Sequence, residues 1–139
     1  MKRLLLDVNV VLDILLDRKP HVESASALWA AIEGGRGKGL LPAHGVTTIH
    51  YLVARDRGGP VARRAVRALL AVCEVAAVDG AVVRTALALE WPDFEDAVCA
   101  AAAAAGRCDA VVTRDPSGFP DSPVPVIDPG TALAWLSVD

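Results

Sequence analysis

Short apolar runs and longer stretches with helical spacing alternate along this chain. Leu4-Leu5-Leu6, Leu40-Leu41 and Ala110-Val111-Val112 are brief and uniformly apolar, as in strands covered on both faces. With the Val-rich segments further on, the pattern predicts strands over Arg3–Asp7, Gly39–Pro42, Val75–Val78, Ala110–Thr113 and Val124–Ile127. Helical spacing predicts helices over Val10–Asp17, Val22–Glu33, Val46–Arg57, Val61–Val72, Gly80–Glu90, Phe94–Ala105 and Thr131–Leu136. Strands that alternate with helices are joined by crossovers in a parallel sheet. The expected fold is therefore α/β, with three α/β/α layers around a central, mainly parallel five-stranded sheet.

The breaks fall where such a fold needs them. Gly34-Gly35-Arg36-Gly37-Lys38-Gly39 invites comparison with a phosphate-cradling loop, but it lacks the Walker spacing and runs from a helix into a strand. It reads as a helix stop and turn. Arg57-Gly58-Gly59-Pro60 separates two helices, and Pro116 to Pro123 forms a Pro- and Ser-rich loop between the last two strands. No repeat or linker divides the chain, so residues 1–139 are expected to form one domain.

Composition narrows the function classes. Of 139 residues, 53% are hydrophobic and 22% charged, which supports a folded core and argues against disorder. The longest apolar stretch, Ala97 to Ala105, falls short of the roughly 20 residues that span a bilayer. Asp7 and Asp13 interrupt the apolar region a signal peptide would need, so a cytoplasmic protein is expected. Cys73, Cys99 and Cys108 have neither paired metal-ligand spacing nor an even count, and read as reduced core residues. A net charge of -3 is not that of a strongly basic nucleic-acid binder, yet it leaves room for local basic surface. The densest such stretch runs from Arg55 to Arg67, with Arg63 and Arg67 on one helix face.

Acids sit where strands end. Asp7 closes the first apolar run and Asp115 follows Thr113 and Arg114 at the end of the fourth, while Asp93-Phe94-Glu95-Asp96 opens a helix. Ligands of α/β sheets collect beyond the carboxyl ends of the strands, so these acids can converge on one site. Carboxylates gathered this way need a cation, and hard oxygen donors suit Mg²⁺ or Mn²⁺. Each acid also has a purely local explanation. Asp7 or Asn9 can cap a helix, and Asp93 can be the N-cap with Asp96 as third helical residue. Asp13 reads as a polar position on a solvated helix face. Asp96 precedes an alanine-rich run that lets its helix pack closely, which favours it as the inward acid of its cluster. Thr113 can hydrogen-bond a ligand carboxylate or finish its strand. His21, His44 and His50 have no triad or zinc spacing and read as surface or loop residues. Trp29, Trp91 and Trp135 read as packing residues rather than a base-stacking platform.

The run Leu4-Leu5-Leu6-Asp7-Val8-Asn9-Val10-Val11-Leu12-Asp13, then Asp93-Phe94-Glu95-Asp96-Ala97, then Val111-Val112-Thr113-Arg114-Asp115, resembles the PIN domain family of nucleases across essentially the whole chain. That family includes the VapC toxins of bacterial toxin–antitoxin pairs. The resemblance implies a metal-dependent endoribonuclease in which Asp7, Asp96 and Asp115 hold Mg²⁺ or Mn²⁺, with Asn9, Asp93, Glu95 and Thr113 in support. It implies RNA as substrate, contacted by Arg114 and by Arg55, Arg63 and Arg67, a small antitoxin as partner, and a homodimer. One departure stands out. The family's usual Glu on the helix after the second strand is missing from Pro42 to Leu52, where Thr48 or His50 takes its place. Two other readings follow: a PIN-like RNA- or protein-binding module with weakened catalysis, and a phosphatase of the haloacid dehalogenase type. The latter wants Asp-x-Asp after the first strand, where this chain has Asn9.

Overall fold

The computed structural model describes residues 1–137. Its five strands are β1 (Arg3–Leu6), β2 (Lys38–Pro42), β3 (Glu74–Ala76), β4 (Ala110–Val112) and β5 (Val126–Ile127). All pair in parallel in the order β3-β2-β1-β4-β5, with Leu5 opposite Leu40 on one side and Val111 on the other. Seven helices surround them: α1 (Val8–Leu15), α2 (His21–Glu33), α3 (Ala43–Arg57), α4 (Gly59–Val72), α5 (Gly80–Leu89), α6 (Phe94–Ala105) and α7 (Pro129–Leu136).

Strand alternation divides the core into two halves. Leu4, Leu6, Leu41, Ala110 and Val112 face a cluster that includes residues of α1, α2, α3, α4 and α7. Leu5, Leu40, Ala76 and Val111 face α5 and α6. The three-layer expectation holds. On the second face Ala97 to Ala103 of α6 are all buried, and their small side chains bring this helix close to the sheet.

The strand order fixes where a ligand can enter. From β1 the chain steps outward to β2 and β3, then returns to place β4 on the other side of β1. The strand ends of β1 and β4 therefore flank the switch point, where the connections diverge and leave a crevice. Asp7 follows β1, and Thr113 to Asp115 follow β4.

Boundaries differ from the sequence pattern in two places that matter here. α1 starts at Val8, not Val10, because Asp7 itself is the N-cap and accepts the Val8 N–H at 2.8 Å. α3 starts at Ala43, not Val46, so His44 lies in its first turn instead of a loop. The absence of a side chain at Gly45 permits this, since a Cβ there would fall 2.8 Å from Val8 Cγ2. The first turn of α3 is thereby packed onto the residue after Asp7.

Leu5 is fully buried at the centre of the sheet, whereas Leu70 on α4 is 46% exposed. Leu5→Ala is expected to cost about 2–5 kcal/mol of stability. Leu70→Ala should stay within about 0.5 kcal/mol in the same denaturant titration.

Candidate functional site

Thr113 ties the end of β4 to the end of β1. Its buried hydroxyl donates to Asp7 Oδ2 at 2.9 Å and accepts from Asn9 Nδ2 at 3.2 Å and from the Asp115 backbone N–H at 3.3 Å. One donor and two acceptor positions are all a threonine hydroxyl has, and all three are used. The Thr113 hydrogen is committed to Asp7, so Asn9 can meet the hydroxyl only through its amide nitrogen. Asn9 Oδ1 is left buried without a partner, an acceptor two residues from Asp7. Of the two sequence readings of Thr113, partner to a carboxylate or end of the strand, the hydrogen bond to Asp7 matches the first.

Asp7 is 9% exposed, and burial is the main force raising its carboxyl above the ordinary range. The Thr113 and Val8 hydrogen bonds act in the opposite direction, and the charges of Glu95 and Asp93 add to the rise. Asp96 sits in the first turn of α6, where its backbone N–H donates to Asp93 Oδ1 at 3.0 Å. Asp93 is thus the N-cap and Asp96 the third residue, as the local pattern anticipates. The Asp96 carboxyl is pushed up to about 7, first by desolvation and then by Asp7, Asp93, Glu95 and Asp115. These four neighbouring carboxylates all act in the same direction as burial.

Asp115 begins a single 3₁₀ turn, Pro116–Gly118, and accepts from Ser117 Oγ at 2.6 Å. Phe119 anchors this turn by packing edge-on against Trp91 at 5.7 Å between ring centres. A Cβ on Gly118 would lie 3.2 Å from Asp96 Oδ2 and 4.0 Å from Asp115 Oδ2, so both acids border the same small space. Gly118 keeps that space open, a role hidden in a sequence where it looks like one more turn residue.

The fold therefore collects Asp7, Asp96 and Asp115, with Asn9, Thr113, Asp93 and Glu95, around the crevice. Thr48 and His50 are half-buried on α3. His44, which sequence spacing leaves aside, stands in the first turn of that helix with Nδ1 buried and without a partner. Asp13 corrects the solvated-face expectation: it is 1% exposed, and Arg114 Nη1 donates to its carboxylate at 3.1 Å. α1 is enclosed by its neighbours, so a polar residue at this position is buried and requires a partner. Arg55, Arg63 and Arg67 are exposed on α3 and α4, with Arg55 stacked over Tyr51 at 5.9 Å.

Oxygen donors of this kind fit a hard divalent cation. The fit is supported by the unpartnered Asn9 Oδ1 and by the four acids whose charges converge on Asp96. Among the described residues no three His, Cys, Asp or Glu side chains stand together as a ready cage. Mg²⁺ does not demand one, since it retains several waters and takes one or two carboxylates together with substrate phosphate.

Comparison with known proteins gives one family. A model of the PIN domain matches residues 3–117. No curated protein matches the chain in sequence. Among solved structures, DNA-bound VapBC from Salmonella typhimurium superposes with a TM-score of 0.69 at 17% identity, over 93% of this chain and 99% of that one. VapC20 of Mycobacterium tuberculosis, described as a sarcin-ricin loop cleaving toxin, gives 0.64 at 16% identity over 78% and 86%. FitAcB from Neisseria gonorrhoeae gives 0.63 at 22% identity over 91% and 97%.

Two outcomes are expected from this geometry. Thr113→Val should lower stability by about 1–3 kcal/mol, because it strips the partner from a buried carboxylate, while Thr113→Ser should recover most of the loss in a denaturant titration. For Asp96 the folded-state value lies above the unfolded one, so the folded protein holds the extra proton. In chelator, the stability from that proton is complete below the ordinary carboxylate range and is lost as pH rises toward about 7. Asp96→Asn removes this dependence, so its stability relative to the parent should grow from pH 4 to pH 7 in thermal melts.

Proposed function

The chain belongs to the PIN domain family, and on that premise we propose that it is a divalent-cation-dependent endoribonuclease, the toxin of a toxin–antitoxin pair. The observation that carries this reading is the set of acids at the switch point, with the Asp96 carboxyl raised first by burial and then by the charges of Asp7, Asp93, Glu95 and Asp115. A cation bound there, Mg²⁺ or Mn²⁺, supplies charge for the phosphate oxygens and makes a water more acidic. The protein's own part is positioning. Asp7, Asp96 and Asp115 provide the oxygen donors, and Thr113 fixes Asp7 by the hydrogen bond at 2.9 Å. Asn9 Oδ1 adds a neutral acceptor. Gly118 keeps the small space between Asp96 and Asp115 free of a side chain.

The exposed Arg55, Arg63 and Arg67 are proposed to hold the RNA backbone away from the acids. Thr48, His50 and His44 are the residues of α3 available where the family's usual Glu is missing. The family match sets aside the phosphatase alternative. The VapBC and FitAB assemblies among similar structures support a small antitoxin as partner, and a homodimer is the form the family resemblance implies. No helix among the described residues is long and apolar enough to cross a membrane.

Purified protein incubated with a pool of structured RNAs is expected to cleave with Mg²⁺ or Mn²⁺ and not with chelator. Asp7→Asn and Asp96→Asn should each reduce cleavage by at least about 100-fold, the scale on which a catalytic metal's direct ligands act when even their supporting partners cost 10–100-fold. A folded protein that binds RNA but cleaves none under either metal would replace this reading with that of an RNA-binding module.

A further inference from the structure

Beside the acidic crevice lies a second cluster of charge with opposite balance. Asp13, 1% exposed, accepts from Arg114 Nη1 at 3.1 Å and stands 3.9 Å from Arg18 Nη1. One carboxylate against two guanidinium groups leaves a positive charge unbalanced, and the arginine side chains remain 33% and 37% exposed. Burying a carboxylate costs several kcal/mol unless it is paired, so Asp13 is held in place and in turn holds Arg114. A guanidinium fixed through one nitrogen still has donors for an anion.

Arg114 lines a cleft of about 270 Å³ with His21, Ser24, Asp128, Pro129 and Gly130. That is roughly nine times the ~30 Å³ share of a liquid water, ample for a phosphate group. α2 begins at this cleft with no side-chain cap, although its Val22 N–H already donates to the Arg18 carbonyl at 2.8 Å, and the helix dipole adds positive potential there. Asp128 is the acid in the lining, but its carboxylate accepts the Thr131 N–H at 2.7 Å and that bond holds it below the usual range. The lowered value keeps Asp128 ionised, so it brings a full negative charge to the lining, directed at the start of α7.

We propose that this cleft is a phosphate subsite for the RNA strand, built by Arg114 with His21, Ser24 and the start of α2, and positioned by Asp13. Arg114 immediately precedes Asp115, with their Cα atoms about 3.8 Å apart across one peptide. The cleft therefore adjoins the acidic crevice, and a strand lying across both would present neighbouring phosphates to the acids and to Arg114. The assignment of RNA as the ligand rests on the nuclease reading above. Asp13 and Arg114 act differently from the arginines of α3 and α4: they fix where the strand sits relative to the acids, rather than adding general attraction.

The test is equilibrium binding of a short unstructured RNA in chelator across a salt series, with metal-dependent cleavage by the parent protein as a separate measurement. Arg114→Gln keeps a donor for Asp13 but removes the cation. Ser24→Glu places a carboxylate at the cleft on an exposed first-turn position that favours acids, so it leaves the fold intact. Both variants are expected to bind roughly tenfold more weakly, the scale of one charge-assisted hydrogen bond. The slope of log K against log salt should become shallower by about 0.7 for Arg114→Gln, the change for one single-strand phosphate contact. Parental affinity and slope in a folded Ser24→Glu variant, alongside metal-dependent cleavage by the parent, would overturn the subsite and leave the nuclease reading standing. A parent protein that neither binds nor cleaves RNA would remove both.

Discussion

Mutual repulsion among carboxylates is the constraint around which this molecule is arranged. Asp7, Asp93, Glu95 and Asp115 all raise the carboxyl of Asp96, on top of the larger effect of burial. Such a cluster is unfavourable in an isolated protein, and the fold tolerates it because the cost is spread. Asp7 is held by a hydroxyl and a backbone amide, Asp93 satisfies the start of its own helix, and Asp115 accepts from Ser117. The strain that remains is what a bound cation would relieve. On the proposed reading, cation binding and folding would be linked through the same charges.

Rigid placement comes from two hubs of different chemistry. Thr113 uses every hydrogen-bonding position of its hydroxyl to join Asp7, Asn9 and the backbone of Asp115. Asp13 does the corresponding work by charge, joining α1 to Arg114. The two hubs come from consecutive parts of the chain on both strands: Asp7 and Asp13 from the β1–α1 unit, Thr113 and Arg114 from the end of β4. The crevice and the neighbouring cleft are therefore coupled through a few residues whose substitution is expected to disturb both. Alanines on α6 complete the frame, since Ala97 to Ala103 bring the helix that carries Asp96 against the sheet.

The absence of an acid in the first turns of α3 gives the site a different character from an all-carboxylate one. On α3 His44 has a buried nitrogen without a partner, and beside Asp7 Asn9 has a buried oxygen without one. Neutral donors add less negative charge to a cluster already short of counter-charge. A site with fewer carboxylates and more neutral acceptors depends more on water and on substrate phosphate to complete a cation's shell.

How much of this was legible beforehand follows from the range of each interaction. Apolar runs set the five strands and seven helices, because burial of alternating or periodic faces is written locally. The acids at the ends of β1 and β4 and the Asp93 cap were equally legible, since a cap or a strand end depends on neighbours a few residues away. Edges moved where a distant residue intervened: α3 begins early because Gly45 fits against Val8. Asp13 looked solvated because its partner Arg114 lies 101 residues away. Gly118 looked like an ordinary turn residue because only the folded chain sets it between Asp96 and Asp115. The sequence by itself determined the elements, their order and the kinds of donor available. The tertiary structure decided which charges meet, which are paired and which are left open, because electrostatic and steric contacts act across space between residues that share no local pattern.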